Sequence, residues 1–207
     1  TLNHSGGLIL RWFRDQFCEP QLAVAAQSGE DPYDLMLQDA PNGPTDLLLL
    51  PHFSGSGTPS FDTASKGVLL GLTFSTTRAE IAKAILEGLT YELRLNMDLL
   101  KNSGVGINVL RAIGGGAKSL LWLQLKADIT GIPVVVPQVT EASGLGAAVL
   151  AGVGVGGYPD ASQAIENILE FEKQIDPQPV SRQAYQARFD IYRDLYPTVK
   201  SISHRLS

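Results

Sequence analysis

Residues 107–131, INVLRAIGGGAKSLLWLQLKADITG, carry the residue types best suited to gripping an anion. Ile107, Val109, Leu110, Ala112 and Ile113 read as a strand, Gly114, Gly115 and Gly116 as a turn, and Ser119 as the start of a helix. A strand that ends in glycines and runs into a helix presents bare backbone N–H groups, with the positive end of the helix dipole behind them. Glycine suits such a turn because a Cβ would block close approach and because it reaches positive φ freely. The same turn is also a common structural device at the end of a buried strand, so the surrounding chain has to decide. A second glycine pair, Gly6-Gly7, precedes LILRWFRDQF, whose Leu8, Trp12 and Phe13, with Leu10 and Phe17, suit a short amphipathic helix. Ser5 or Asn3 could cap its start.

The bulk composition narrows the function classes. The chain has 207 residues, 44% hydrophobic and 18% charged, with a formal net charge of −5. There is enough chain for a substantial core, as one ordinary domain or two small ones. No Lys/Arg cluster could track a phosphate backbone, which argues against nucleic-acid binding, whereas a nucleotide pocket needs no basic domain. Cys18 is the single cysteine, which excludes an internal disulfide and a cysteine-based zinc site and suits a reducing compartment. No apolar run reaches membrane-spanning length and no signal-peptide pattern opens the chain, so a cytoplasmic protein without a membrane partner is expected. The first residue is Thr1, which reads as an internal start.

Several elements must position the glycines. Residues 20–46 read as polar and irregular around a helical patch at 33–38, and Leu47–Leu50 as a buried strand stopped by Pro51. HFSGSGTPSFD (52–62) is too rich in Gly, Ser and Pro for a regular element, and 67–72 reads as a strand or turn. Thr77 followed by Glu80 forms a capping box, and the proline-free run 78–101 is the clearest helix. Ile81, Ala84, Ile85, Gly88, Leu89 and Glu92 share one face, with Gly88 suited to a close helix crossing. Strand 107–113, helix 119–130, strand 132–137 and a small-residue helix 141–153 follow. A linker (152–159), a helix 160–172 capped by Asp160, and a last helix 181–203 interrupted at Pro197 complete the reading. Strand–helix alternation with long helices means an α/β fold.

Four blocks along the chain resemble the FGGY carbohydrate kinases. GVLLGLTFSTTRAEIAKAILEG (67–88) is similar to their C-terminal signature: Gly67 and Gly71 four apart, Leu72, a seven-residue gap, Glu80-Ile81, then Ala84-Ile85-Leu86-Glu87. LPHFSGSGTPSFD before it looks like the family's "pxFsGsGTPxxD" loop. After it, GGGAKSLLWLQLKADITGIPV and EASGLGAAVLAGVGVGGY (141–158) look like the nucleotide loop and the closing helix. The resemblance covers roughly residues 3–160. It implies an actin-like, ribonuclease-H-like ATPase fold of two domains around a cleft where sugar and ATP meet. Residues 1–207 would be the nucleotide-binding C-terminal domain, incomplete at its N-terminal edge, with 158–207 as a C-terminal helical extension. The aspartate that deprotonates the sugar hydroxyl is expected upstream, so no catalytic residue is assigned here, and this chain alone should be inactive. Mg²⁺ would be held with the missing N-terminal half, this chain's own partner domain. Family members are often dimers, which leaves a homodimer open. The W-F-R-D and GGGAKS variants look closer to the xylulose- and ribulose-kinase side than to glycerol kinases, since Ile113 stands where those carry Asp. A pentulose is therefore the expected acceptor, and a non-catalytic nucleotide- or sugar-responsive module the alternative.

Carried over residue by residue, the resemblance places Gly115 against the nucleotide phosphate or ribose, with Gly114 and Gly116 shaping the turn. Ser119 falls near the adenine, or is a plain helix cap. Gly7, with Gly6 before it, matches a glycine beside the ADP phosphates, and Arg11 a polar position near the base or ribose, unless it is simply a solvated helix arginine. Ser54–Thr58 could close over the phosphates, or be a connector. Asp62 and Glu87 are carboxylates that could reach Mg²⁺, although Glu87 reads better as a buried hydrogen-bonding group and no metal ligand is assigned. Glu141 stabilises a helix dipole without further role. His4, His52 and His204 lack metal-ligand spacing. Trp12 and Trp122 read as core residues.

Overall fold

Thr77 and Glu80 form the capping box that the sequence announces: Glu80 N donates to Thr77 Oγ1 at 3.2 Å, and Thr77 N donates to Glu80 Oε2 at 2.7 Å. The computed structural model describes residues 6–139, 141–168 and 170–206, so Asn3, His4 and Ser5 lie outside the described residues. The elements run α1 (Leu8–Phe17), α2 (Glu19–Ser28), α3 (Pro32–Leu37), β1 (Leu48–Leu50), β2 (Val68–Leu70), α4 (Arg78–Asn102) and β3 (Leu110–Arg111). A 3-10 turn (Gly115–Ala117), α5 (Leu120–Thr130), β4 (Val134–Pro137), α6 (Ala142–Gly154), α7 (Ala161–Ile168), β5 (Phe171–Ile175), α8 (Pro179–Tyr192) and α9 (Leu195–Arg205) follow.

The organising element is α4. Small and apolar residues occupy most of its middle, and every position from 82 to 92 is buried, so the expected one-sided stripe becomes a helix enclosed on all sides. Around it pack Ile9, Leu10 and Phe13 of α1, Leu49 and Leu50 of β1, Leu125 and Ile129 of α5, and Tyr185, Phe189 and Tyr192 of α8. Gly88 faces β1 rather than another helix: a Cβ there would lie 2.2 Å from the Leu49 carbonyl oxygen.

Burying α4 also buries its charges, and each finds partners. Glu87 accepts from Thr45 N at 3.1 Å, from Thr45 Oγ1 at 2.6 Å and from Tyr185 OH at 3.3 Å. Lys83 Nζ donates to the Gly43 carbonyl at 2.6 Å and to the Pro41 carbonyl, and stands 3.9 Å from Glu87 Oε1. Desolvation raises the Glu87 carboxyl against the pull of Thr45 and Lys83, and desolvation lowers the Lys83 ammonium.

The sheets are small. β1 and β2 pair antiparallel, with Leu49 opposite Leu69. β3 pairs parallel to β4, and β5 antiparallel to β4, in the order β3-β4-β5. The parallel pair, with α5 as its crossover, is the α/β unit expected from the alternation. Val134 and Val136 pack on Leu123 and Ala127 of that crossover helix.

Several expectations need correction. The strand read at 107–113 is confined to Leu110–Arg111. Glu19–Ser28 is helical where an irregular segment was expected: α2 buries none of its residues, so it has no apolar period to read, and Gly29 at φ 76° ends it. The helix expected over 160–172 stops at Ile168, and 171–175 is a strand set by pairing with β4, so the C-terminal region is not purely helical. The last helical run breaks at 193–194 rather than at Pro197, which sits in the first turn of α9, where a missing N–H leaves no bond unmade. α6 extends to Gly154, into the expected linker. Gly7 is the N-cap of α1.

The 52–62 loop is irregular as expected and is pinned by the C-terminus. Asp62 Oδ2 accepts from Tyr196 OH at 2.7 Å and lies 2.7 Å from His204 Nε2, while Asp62 Oδ1 accepts from Ala64 N at 3.1 Å. The His204 contact, then the Tyr196 hydroxyl, hold the Asp62 carboxyl down to about 2.

Two outcomes follow from these contacts. Gly88→Ala should destabilise the protein by about 1–3 kcal/mol, because the added methyl meets backbone that cannot swing aside; the urea midpoint measures it. Asp62 has a folded pKa below its unfolded value of about 3.9, so its stabilisation is complete above that value and lost as pH falls toward 2. The melting-temperature difference between wild type and Asp62→Asn should therefore shrink steadily between about pH 4 and pH 2.

Candidate functional site

The glycine turn forms as the sequence pattern requires. Gly114 enters it at φ 69°, and the Gly114 and Gly115 carbonyls accept from Ala117 N at 3.0 Å and Lys118 N at 3.2 Å. Ser119 then caps α5, its Oγ accepting from Trp122 N at 3.3 Å. On a separate element, Gly7 caps α1 at φ −67°, and its carbonyl accepts from Arg11 N at 3.2 Å.

These two helix starts face one cleft of about 710 Å³. Gly7, Leu8 and Leu10 of the α1 region line it, together with Gly115, Gly116, Lys118 and Ser119 and with Tyr33, Asp34 and Leu37 of α3. A smaller cavity of about 430 Å³ adjoins it across Lys118 and Ser119. The volume lies in the range of small-molecule and cofactor sites. Helix N-termini and glycine backbone give the cleft an anion-accepting character, to which Lys118 and Lys126 add positive charge while Asp31 and Asp34 add negative charge at its α3 edge. Arg14 fixes that edge: Nη1 donates to Tyr33 OH at 3.0 Å.

Of the residues singled out in the sequence, Gly7, Gly115, Gly116 and Ser119 line the cleft. Gly6, Arg11 and Gly114 do not: Gly6 and Gly114 lie one residue outside its wall, and Arg11 projects from the exposed side of α1. Tyr33, Asp34, Lys118 and Lys126 line it without having been singled out, and Trp122, read as a core residue, lines it as well. For Lys118 the signal was its place between the glycines and Ser119. The α3 residues had none, because only folding brings them there.

The remaining candidates have other occupations. Asp62 and Glu87 are engaged by the hydrogen bonds described above. Among the described residues no group of three His, Cys, Asp or Glu side chains could hold a metal ion. His52 is a packed loop residue, with Nδ1 2.7 Å from Ser65 Oγ. Trp122 is partly buried and packs on the core, whereas Trp12, expected inside, is 43% exposed and stands edge-on to Phe17 and Phe53. No helix among the described residues is long and apolar enough to cross a membrane.

Comparison with known proteins bears on the family and the fold. Residues 1–155 match the FGGY family of carbohydrate kinases, C-terminal domain. A xylulose kinase of Staphylococcus epidermidis is 29% identical over 199 residues, 96% of this chain and 39% of the relative. A glycerol kinase of Rhodopirellula baltica is 37% identical over 183 residues, 88% of this chain and 32% of the relative. The crystal structure of a ligand-bound xylulose kinase from Lactobacillus acidophilus superposes with a TM-score of 0.82 at 27% identity, covering 99% of this chain and 40% of that one. The chain thus spans about two fifths of the length of such relatives. Its α/β architecture is that of the actin-like ATPase fold of these kinases. By the family match and the shared fold, the chain belongs to the FGGY family of carbohydrate kinases, as its C-terminal domain.

Proposed function

We propose that this chain is the nucleotide-binding part of an ATP-dependent kinase that phosphorylates a sugar or polyol, with a pentulose as acceptor. The observation that carries the reading is the convergence of Gly7 and the Gly115–Gly116 turn, each at a helix start, on one cleft. Phosphoryl transfer asks a protein mainly to position reactants and stabilise charge, which backbone N–H groups and helix N-termini can do. In this reading Gly7 and Gly115 lie against the phosphates or ribose and Ser119 near the base. Gly6, Gly114 and Gly116 shape the two turns, and Arg11, exposed on α1 outside the cleft, is left without a nucleotide contact. Mg²⁺ accompanies the phosphates, and the rest of its site, with the base that activates the sugar hydroxyl, belongs to the N-terminal half. Leu70, Leu72 and the fully exposed Phe74 form an apolar run suited to contact with that half.

Gly115 is a clean probe, because a Cβ there meets no protein atom within 4 Å. Gly115→Val in the full-length protein should weaken ADP at least about tenfold by calorimetry, with little change in melting temperature; the side chain fills ligand space rather than disturbing packing. Unaltered ADP affinity would count against the assignment. For the acceptor, a panel of pentuloses, other ketoses and glycerol assayed with ATP should show the greatest ADP production with a pentulose. A preference for glycerol would overturn the substrate reading, and no stimulation by any of them would overturn the kinase reading.

A further inference from the structure

One wall of the cleft holds an ammonium group that the nucleotide contacts above leave unused. Lys126 of α5 donates from Nζ to the Gly116 carbonyl oxygen at 3.2 Å and lies 4.3 Å from the centre of the Trp122 ring. That ring is itself anchored. Trp122 Nε1 donates to Thr90 Oγ1 at 3.1 Å, and the same hydroxyl donates to the Leu86 carbonyl of α4 at 2.6 Å. Gly116 packs so tightly on the indole that a Cβ would lie 2.9 Å from Trp122 Cζ3. A continuous set of contacts therefore runs from the enclosed helix α4, through Trp122 and Lys126, to the carbonyl of the third glycine.

We propose that Lys126 is a positioning residue for the nucleotide: its ammonium pins the Gly116 carbonyl and holds the Gly114–Ala117 turn in the form that faces the ligand. The inference rests on the nucleotide-binding reading of the cleft. An ammonium bound to a carbonyl and an aromatic face, in a partly buried setting, makes a charge-assisted contact stronger than a neutral amine could. The ionisable groups facing the same space are Lys118 on the turn and Asp31, Tyr33 and Asp34 in the α3 region. α1 contributes Gly7, Leu8 and Leu10, and α4 contributes Leu86. Desolvation lowers the Lys126 ammonium to about 8, and no charged neighbour contributes to the shift. The pin is therefore charged below that pH, and it weakens as pH rises through it, when the amine becomes neutral and loses its attraction to the ring.

The test uses the full-length protein with ADP as the probe, by calorimetry at pH 7 and pH 9, together with amide hydrogen exchange at Ala117 and Lys118 in the absence of nucleotide. Wild type should lose about tenfold in ADP affinity between the two pH values. Lys126→Met should be weak at both and show faster exchange at the two turn amides. Lys126→Arg, charged throughout, should retain at pH 9 the affinity it has at pH 7. Wild-type affinity and exchange in Lys126→Met, or the same pH profile in all three proteins, would overturn the inference. Failure of wild type to bind ADP would defeat the nucleotide reading itself, while the exchange rates would still show whether Lys126 holds the turn.

Discussion

Gly88 lies so close to β1 that a methyl group in place of its hydrogen would stand 2.2 Å from the Leu49 carbonyl oxygen, and this approach sets the depth at which α4 is buried. With β1 on one side and α1, α5 and α8 on the others, the middle of α4 has no solvent face. Its charged residues must then be satisfied from within. Glu87 reaches the Thr45 backbone and hydroxyl and the Tyr185 hydroxyl, Glu92 accepts from Tyr192 OH at 2.8 Å, and Lys83 takes the carbonyls of Pro41 and Gly43. The charges thus tie the 41–45 loop and helix α8 to α4. Their cost in desolvation is offset by the hydrogen bonds that these partners supply.

The cleft inherits this rigidity. α1 delivers Gly7 to one wall while sinking Ile9, Leu10 and Phe13 into the core around α4. α5 delivers the glycine turn and Ser119 to the same cleft while sinking Leu125 and Ile129 into the same core. Both helix starts are therefore placed by packing against a common helix, which lets loops and turns hold a defined geometry that they could not maintain alone.

Much of this was legible in the sequence wherever one local rule decided the outcome. The Thr77–Glu80 capping box and the Ser119 cap of α5 both formed where they were read. Elements whose form depends on a distant partner were not legible. β5 exists because β4 lies beside it, α2 has no buried face to produce a period, and Pro197 was read as a breaker without knowledge that α9 begins two residues earlier. The same division holds for the cleft. The strand–glycine–helix pattern marked Gly115 as a candidate and the family resemblance added Gly7, whereas Tyr33, Asp34 and Lys126 arrive through tertiary packing.

The glycines of this chain also separate by what they leave room for. At Gly88 the missing side chain makes way for backbone, and at Gly116 for the Trp122 ring, so the fold itself accounts for both. Gly7 and Gly115 are different. Among the described residues, a Cβ at either would meet no atom within 4 Å beyond its chain neighbours, and neither has a positive φ. What a side chain at those two positions would occupy is the cleft between them. Gly43, Gly106 and Gly144 are as open and lie outside the cleft, so it is the shared cleft, and not the open space alone, that suits Gly7 and Gly115 to the proposed nucleotide.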